Sequence, residues 1–189
     1  MAASLLVVVF VLLIALPGVI AAVRAERKPE EDPDYGVEAQ VHALNRQLFD
    51  IHEALAQALA TPLPERLISD PNERAAERRR VTLALEVDHA HAQERYDHAR
   101  KALRDLPKEA PVQAREIIAY ALDSADRCLY QHDLLARDAL RYATPEAHTD
   151  PAAAVRLHQT ITATRREAER LCRRVLEEAR ELQEILALD

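Results

Sequence analysis

Leu5 to Val23, LLVVVFVLLIALPGVIAAV, runs for nineteen residues without a charge and without Asn, Gln or His. As a helix it would cover roughly 28 Å, the depth of a bilayer's hydrocarbon core. A stretch of this kind either spans a membrane or is a signal removed on export. The leading residues Met1 to Ser4 carry no Lys or Arg, and the apolar run is longer than the roughly 7–15 residues of a signal's core. Both features fit a retained span. Pro17-Gly18 and the small residues of Val23-Arg24-Ala25 before Glu26 fit a cleaved signal instead. The retained span is the expectation, and export after cleavage is the alternative.

Cations next to a span stay on the cytoplasmic side. Arg24, Arg27 and Lys28 follow the apolar run directly, and only the α-amine precedes it. The expected orientation therefore puts the body in the cytoplasm, with an extracytoplasmic or secreted body as the alternative. The chain then has three regions: residues 1–23 as a transmembrane anchor, 24–36 as an acidic juxtamembrane linker, and 37–189 as a helical bundle domain. Pro29, Pro33 and Gly36 should interrupt helix in the linker.

The body is rich in Ala, Leu, Glu and Arg, and the chain has only two Gly and no Trp. Strong helix formers dominate, and the residue most permissive of turns is nearly absent. A net charge of −7 argues against general nucleic-acid affinity, so no nucleic-acid partner is expected.

Apolar spacing predicts four helices. The first covers about 37–60, and Val37, Val41, Leu44, Leu48, Ile51, Leu55 and Ala58 form a heptad seam. A connector, TPLPERLISD, comes next. Asp70-Pro71 then supplies a cap and a first-turn proline, with Glu73 placed as a capping-box acid. The second helix runs to about Leu106 with Leu85, His89, Ala92, Tyr96, Ala99, Leu103 and Leu106 on its seam. Val81, Leu83 and Val87 leave the phase of its earlier half ambiguous.

Pro111 opens the third helix, to about Ala143. Its seam is Ala114, Ile118, Ala121, Ala125, Cys128, His132, Leu135 and Ala139, small enough for close helix approach. Asp150-Pro151 opens the fourth, to about Leu188, with Leu157, Ile161, Ala168, Leu171, Val175, Leu182 and Ile185 inward. Short connectors make sequential helices antiparallel. The fold class is all-α: an N-terminal transmembrane helix, then an elongated up-down-up-down four-helix bundle.

Eight histidines raise the question of a metal. Di-iron bundles carry Glu-x-x-His on two helices. Glu86-Val87-Asp88-His89 has that spacing, but His132 follows Leu129 and His158 follows Val155 at the same offset. His89 and His132 therefore read as seam polar residues that fix register. Ser124 reads as part of a solvated helical face. No glycine-rich phosphate loop, nucleophile elbow or HExxH run occurs. No catalytic, cofactor-binding or metal-ligating residue is expected, and no cofactor.

The two cysteines, Cys128 and Cys172, form no CxxC. A turn centred near residue 147 would put Cys172 roughly 9 Å beyond the level of Cys128. Disulfides need Cα atoms within about 7 Å, so unpaired thiols are expected.

Two arginine clusters remain: Arg74, Arg78, Arg79 and Arg80, and Arg165, Arg166, Arg170, Arg173 and Arg174. Both alternate with Glu and read first as solvated faces with local ion pairs. The first cluster is also the candidate docking patch for an acidic protein partner. It should lie about 35 Å along the bundle from the start of the first body helix. The chain is thus expected to be a single-pass membrane-anchored interaction or scaffold module, not an enzyme, held in the membrane by residues 5–23. The alternative is an exported helical binding protein for a small ligand or metal.

Overall fold

The computed structural model describes residues 33–187. The apolar stretch 5–23 and the linker up to residue 32 lie outside the described residues. Among the described residues, no helix is long and apolar enough to cross a membrane. The core of the bundle belongs to the unit Val37–Asp189.

Four α-helices and no strand occur among the described residues: α1 (Pro33–Ala60), α2 (Pro71–Asp105), α3 (Val112–Tyr142) and α4 (Pro151–Leu186), with a short 3-10 turn, Pro145–His148, before α4. The helix starts obey local chemistry. Asp70 Oδ1 accepts a hydrogen bond from Asn72 N at 2.7 Å, and Asp150 Oδ1 accepts one from Ala152 N at 2.9 Å. Each cap is followed by a proline in the first turn, where a missing N–H costs nothing.

Three local readings change. Helix α1 begins at Pro33 and runs through Gly36, because a proline suits a first turn and a single glycine costs a helix only about 1 kcal/mol. Pro111 caps α3 from outside rather than opening it, and its carbonyl accepts from Arg115 N at 3.1 Å. Glu73 does not complete a capping box. Its carboxylate faces Arg66 at 3.1 Å instead.

Pairs across the helices give the topology. Asp50 meets Arg95, while Thr61, further along the chain, meets Asp88, so α1 and α2 are antiparallel. The Tyr96 hydroxyl meets Asp126 and His89 stacks on His132, which makes α2 and α3 antiparallel. Arg127 faces Glu167 and Tyr142 packs on His158, so α3 and α4 also run oppositely. Cys172 of α4 meets the His52 carbonyl of α1, and Arg165 meets Glu65 just past it. The helices close a four-membered ring, with α2 and α4 diagonally opposite.

All four helices feed one large core. Leu44, Leu48 and Ile51 of α1, Ala92 and Ala99 of α2, Ile118 and Ala121 of α3, and Leu171 and Val175 of α4 belong to it. A smaller core lies at the other end, built from Leu63, Val81, Leu135, Ala136 and Ala139. The connector 61–70 closes that end. Leu63 enters the small core, and Ile68 N donates to Ala143 O at 3.0 Å.

Leu48 and Leu171 are both sealed in the large core. Leu48→Ala should cost about 2–5 kcal/mol, and an aspartate at either position should unfold the bundle by burying an unpaired charge. Arg166, on the exposed face of α4, should tolerate alanine with no change beyond about 0.5 kcal/mol. Chemical denaturation of these variants reads the difference.

Candidate functional site

The first arginine cluster lies at the end of the bundle that holds the connector, and it is not one patch. Arg74 Nη1 donates to the carbonyls of Ile68 and Ser69 at 2.8 and 2.9 Å. Arg80 donates to Pro62 O at 2.6 Å and to both Glu77 carboxylate oxygens. These two arginines staple the connector to α2. The hydrogen bond from Arg80 holds the Glu77 carboxyl below the usual carboxylate range. Arg78 and Arg79 are exposed, with no carboxylate partner among the described residues.

Arg79 has apolar neighbours along α2. Leu83 is 63% exposed and Val87 is 59% exposed, although both are large aliphatic residues. Positions 76, 79, 80, 83, 87 and 90 share one side of a 3.6-residue helix. Ala76, Arg79, Arg80, Leu83, Val87 and Ala90 therefore form a mixed cationic and aliphatic stripe facing away from Val81 and Ala92, which are buried. The second cluster is more fully neutralised. Arg165 pairs with Glu65, Arg170 with Glu167, and Arg174 with Glu178.

The histidines form a polar layer between the two cores. His132 is only 2% exposed and sits on α3 between Leu129 of the large core and Leu135 of the small one. Its ring stacks on His89 of α2 with centroids 6.1 Å apart and planes 12° from parallel. One ring nitrogen meets the Ala58 carbonyl of α1, while Nδ1 is buried without a hydrogen-bond partner. Beside it, the Thr61 hydroxyl donates to Asp88 Oδ2 at 3.0 Å. The outer side of His89 borders a groove of about 580 Å³ with Gln93, Asp126, Tyr130 and Asp133.

Stacked rings do not point their nitrogens at a common atom, as metal ligation requires. Glu86, the acid of the Glu-x-x-His run, is exposed on α2. Among the described residues, no three His, Cys, Asp or Glu side chains are grouped to hold a metal ion. Ser124, expected on a solvated face, is buried instead, because it shares the small-residue side of α3 with Ala121 and Ala125.

The cysteines are unpaired, as the spacing implied. Both are free thiols and both are buried. Yet their thiols lie close enough to perturb each other, and Cys128 Sγ donates to Ala168 O at 3.3 Å, on the turn that leads to Cys172. Arg127 faces Glu167 and Cys128 Sγ reaches Ala168 O, so Cys172 stands about one turn beyond the level of Cys128; side chains lean towards the N-terminus of their own helix, and in two antiparallel helices these leans bring the two sulfurs towards each other. Counting Cα levels through the hairpin leaves out that lean, which is a property of every helix rather than of these residues.

No protein family, curated protein or solved structure matches this chain. The site must be read from its own chemistry.

Burial, with the charge of His89 adding to it, lowers the His132 pKa from its ordinary 6.5. Burial and Arg180 act the same way on His52. The unfolded chain then binds protons that the folded chain refuses, so stability falls as pH drops below 6.5 until the folded pKa is passed. Urea unfolding between pH 8 and pH 5 should show that decline, and His132→Leu should flatten most of it. An unchanged slope in the variant would contradict the assignment.

Proposed function

We propose that this chain is a single-pass membrane-anchored protein whose helical bundle is an interaction module. The observation that carries the reading is the outward stripe of α2, Arg79, Leu83 and Val87, where large aliphatic side chains stay in water beside an unneutralised cation. Monomeric surfaces tolerate scattered apolar residues, but an ordered row along one helix is what an amphipathic partner helix covers. The cationic margin favours an acidic partner, since rim charges steer association and select against like-charged surfaces. The anchor reading is supported by residues 5–23, whose length and lack of charge suit a bilayer. Under this reading Arg24, Arg27 and Lys28 hold the body on the cytoplasmic side.

The exported reading draws support from one observation, the contact between Cys128 and Cys172. Two cysteines whose side chains meet can bond and stay bonded where the compartment is oxidising.

Full-length protein should stay in the membrane pellet after an alkaline carbonate wash. Its appearance in the soluble fraction as a chain lacking residues 1–25 would overturn the anchor. For the stripe, the triple change Arg79→Gln, Leu83→Ser, Val87→Ser should leave the melting temperature nearly unchanged, because none of these side chains is buried. It should weaken capture of an acidic partner from native membranes by about tenfold or more, the loss typical of removing interface anchors. Unchanged capture would remove the stripe from the function. Loss of binding to anionic vesicles, with no change in protein partners, would assign it to a lipid surface.

A further inference from the structure

We propose that Cys128 and Cys172 are a redox pair: a small peroxide converts them into a disulfide that ties α3 to α4. The chain has only two cysteines, and the fold brings them together from positions far apart in sequence. Cys128 Sγ lies 3.3 Å from the carbonyl oxygen of Ala168. That oxygen is the one the Cys172 N–H reaches in an α-helix, so the Cys128 sulfur sits against the turn that carries Cys172. The Cys172 thiol is oriented in turn by the His52 carbonyl of α1, at 3.8 Å. Three helices thus fix the two sulfurs next to each other. The inference is independent of the membrane anchor and of the α2 stripe.

The roles within the pair are unequal. Contact with the Cys128 thiol, with Arg173 nearby, pulls the Cys172 thiol pKa down. That same contact, together with burial, pushes the Cys128 thiol up. Cys172 is also the less deeply covered of the two, 5% exposed against 0%. Cys172 is therefore the attacking sulfur and Cys128 the resolving one. Hydrogen peroxide is small enough to enter through slight parting of α1 and α4 at His52.

The chemistry balances in two steps. The Cys172 thiol loses its proton, and its sulfur attacks one peroxide oxygen. The O–O bond breaks, and the departing hydroxide takes the proton and leaves as water. Cys172 is then a sulfenic acid. The Cys128 thiol loses its proton, and its sulfur attacks the Cys172 sulfur. The S–O bond breaks, a second water leaves, and the S–S bond forms. Two thiols are oxidised by two electrons, and one peroxide is reduced to two waters.

The test uses the full-length chain in detergent micelles, treated with hydrogen peroxide and then denatured and alkylated. Expected is the loss of both alkylatable thiols, a mass lower by two hydrogen atoms, and one non-reduced peptide joining residues 128 and 172. The cross-linked protein should melt higher, on the order of 10 °C, and a thiol reductant should reverse the shift. Cys128→Ser should stop at a sulfenic acid that a dimedone probe labels at residue 172, whereas Cys172→Ser should leave residue 128 unlabelled. Two intact thiols in the folded wild type would overturn the proposal. So would a sulfinic acid without the cross-link, or a disulfide that joins two copies of the chain. The wild-type peptide map decides the matter even if a variant fails to fold.

Discussion

Close approach to α3 is the constraint on which the bundle rests. This helix buries Ala114, Ala121, Ala125, Ala136 and Ala139, with Ser124 and Cys128 among them. Small side chains let neighbouring helices come near enough for their larger residues to fill the space between. Leu44, Leu48, Ile51 and Leu55 of α1 and Leu171, Val175 and Leu182 of α4 supply that bulk. Ile117, Ile118, Leu122, Leu129 and Leu135 of α3 fill the rest from its own side. An added methylene on α3 would have nowhere to go, because overpacked cores lose about 1–3 kcal/mol to displaced side chains.

The same closeness explains why a polar layer is tolerated at His132. A buried imidazole with an unpartnered nitrogen opposes folding by about 1–3 kcal/mol. In return, it specifies register. An apolar residue at 132 would merge the two cores and permit α3 to slide by a turn against α1 and α2. With histidine there, only the register that presents the Ala58 carbonyl and the His89 ring satisfies the site. The layer sits where α1 ends and the connector begins, and Thr61 and Asp88 close it from the outside. The layer thus gives up some stability in exchange for one register over its alternatives.

The heptad seams were legible because burial follows helical periodicity. Every predicted seam residue of α3 is buried, and so are Val41, Leu44, Leu48, Ile51, Leu55 and Ala58 of α1. Helix α2 was harder for a physical reason. Val81, Leu83 and Val87 cannot all lie on one side, and only contact with α3 and the connector selects Val81 for the interior. The functions of Arg74 and Arg80 were not legible either, since their acceptors are backbone carbonyls, which every residue possesses. The contact between the cysteines was hidden because a count of Cα levels leaves out the lean of the side chains towards their helix N-termini.

The two halves of α2 are packed unequally. Ala92, Tyr96 and Ala99 hold its second half in the large core, whereas Val81 alone is buried in its first half. That first half depends on the connector: Arg74 and Arg80 fix it through carbonyls, and Leu63 packs against the same small core as Val81. Segments with few buried apolar contacts open at lower free energy than the core. A partner that covered Leu83 and Val87 would bury apolar area where the bundle itself buries least. Its binding would then add to local stability as well as to affinity, because ligands that bind only the folded form shift the folding equilibrium towards it. The exposed stripe and the thin packing beneath it lie on the same half of α2, so covering the one would reinforce the other.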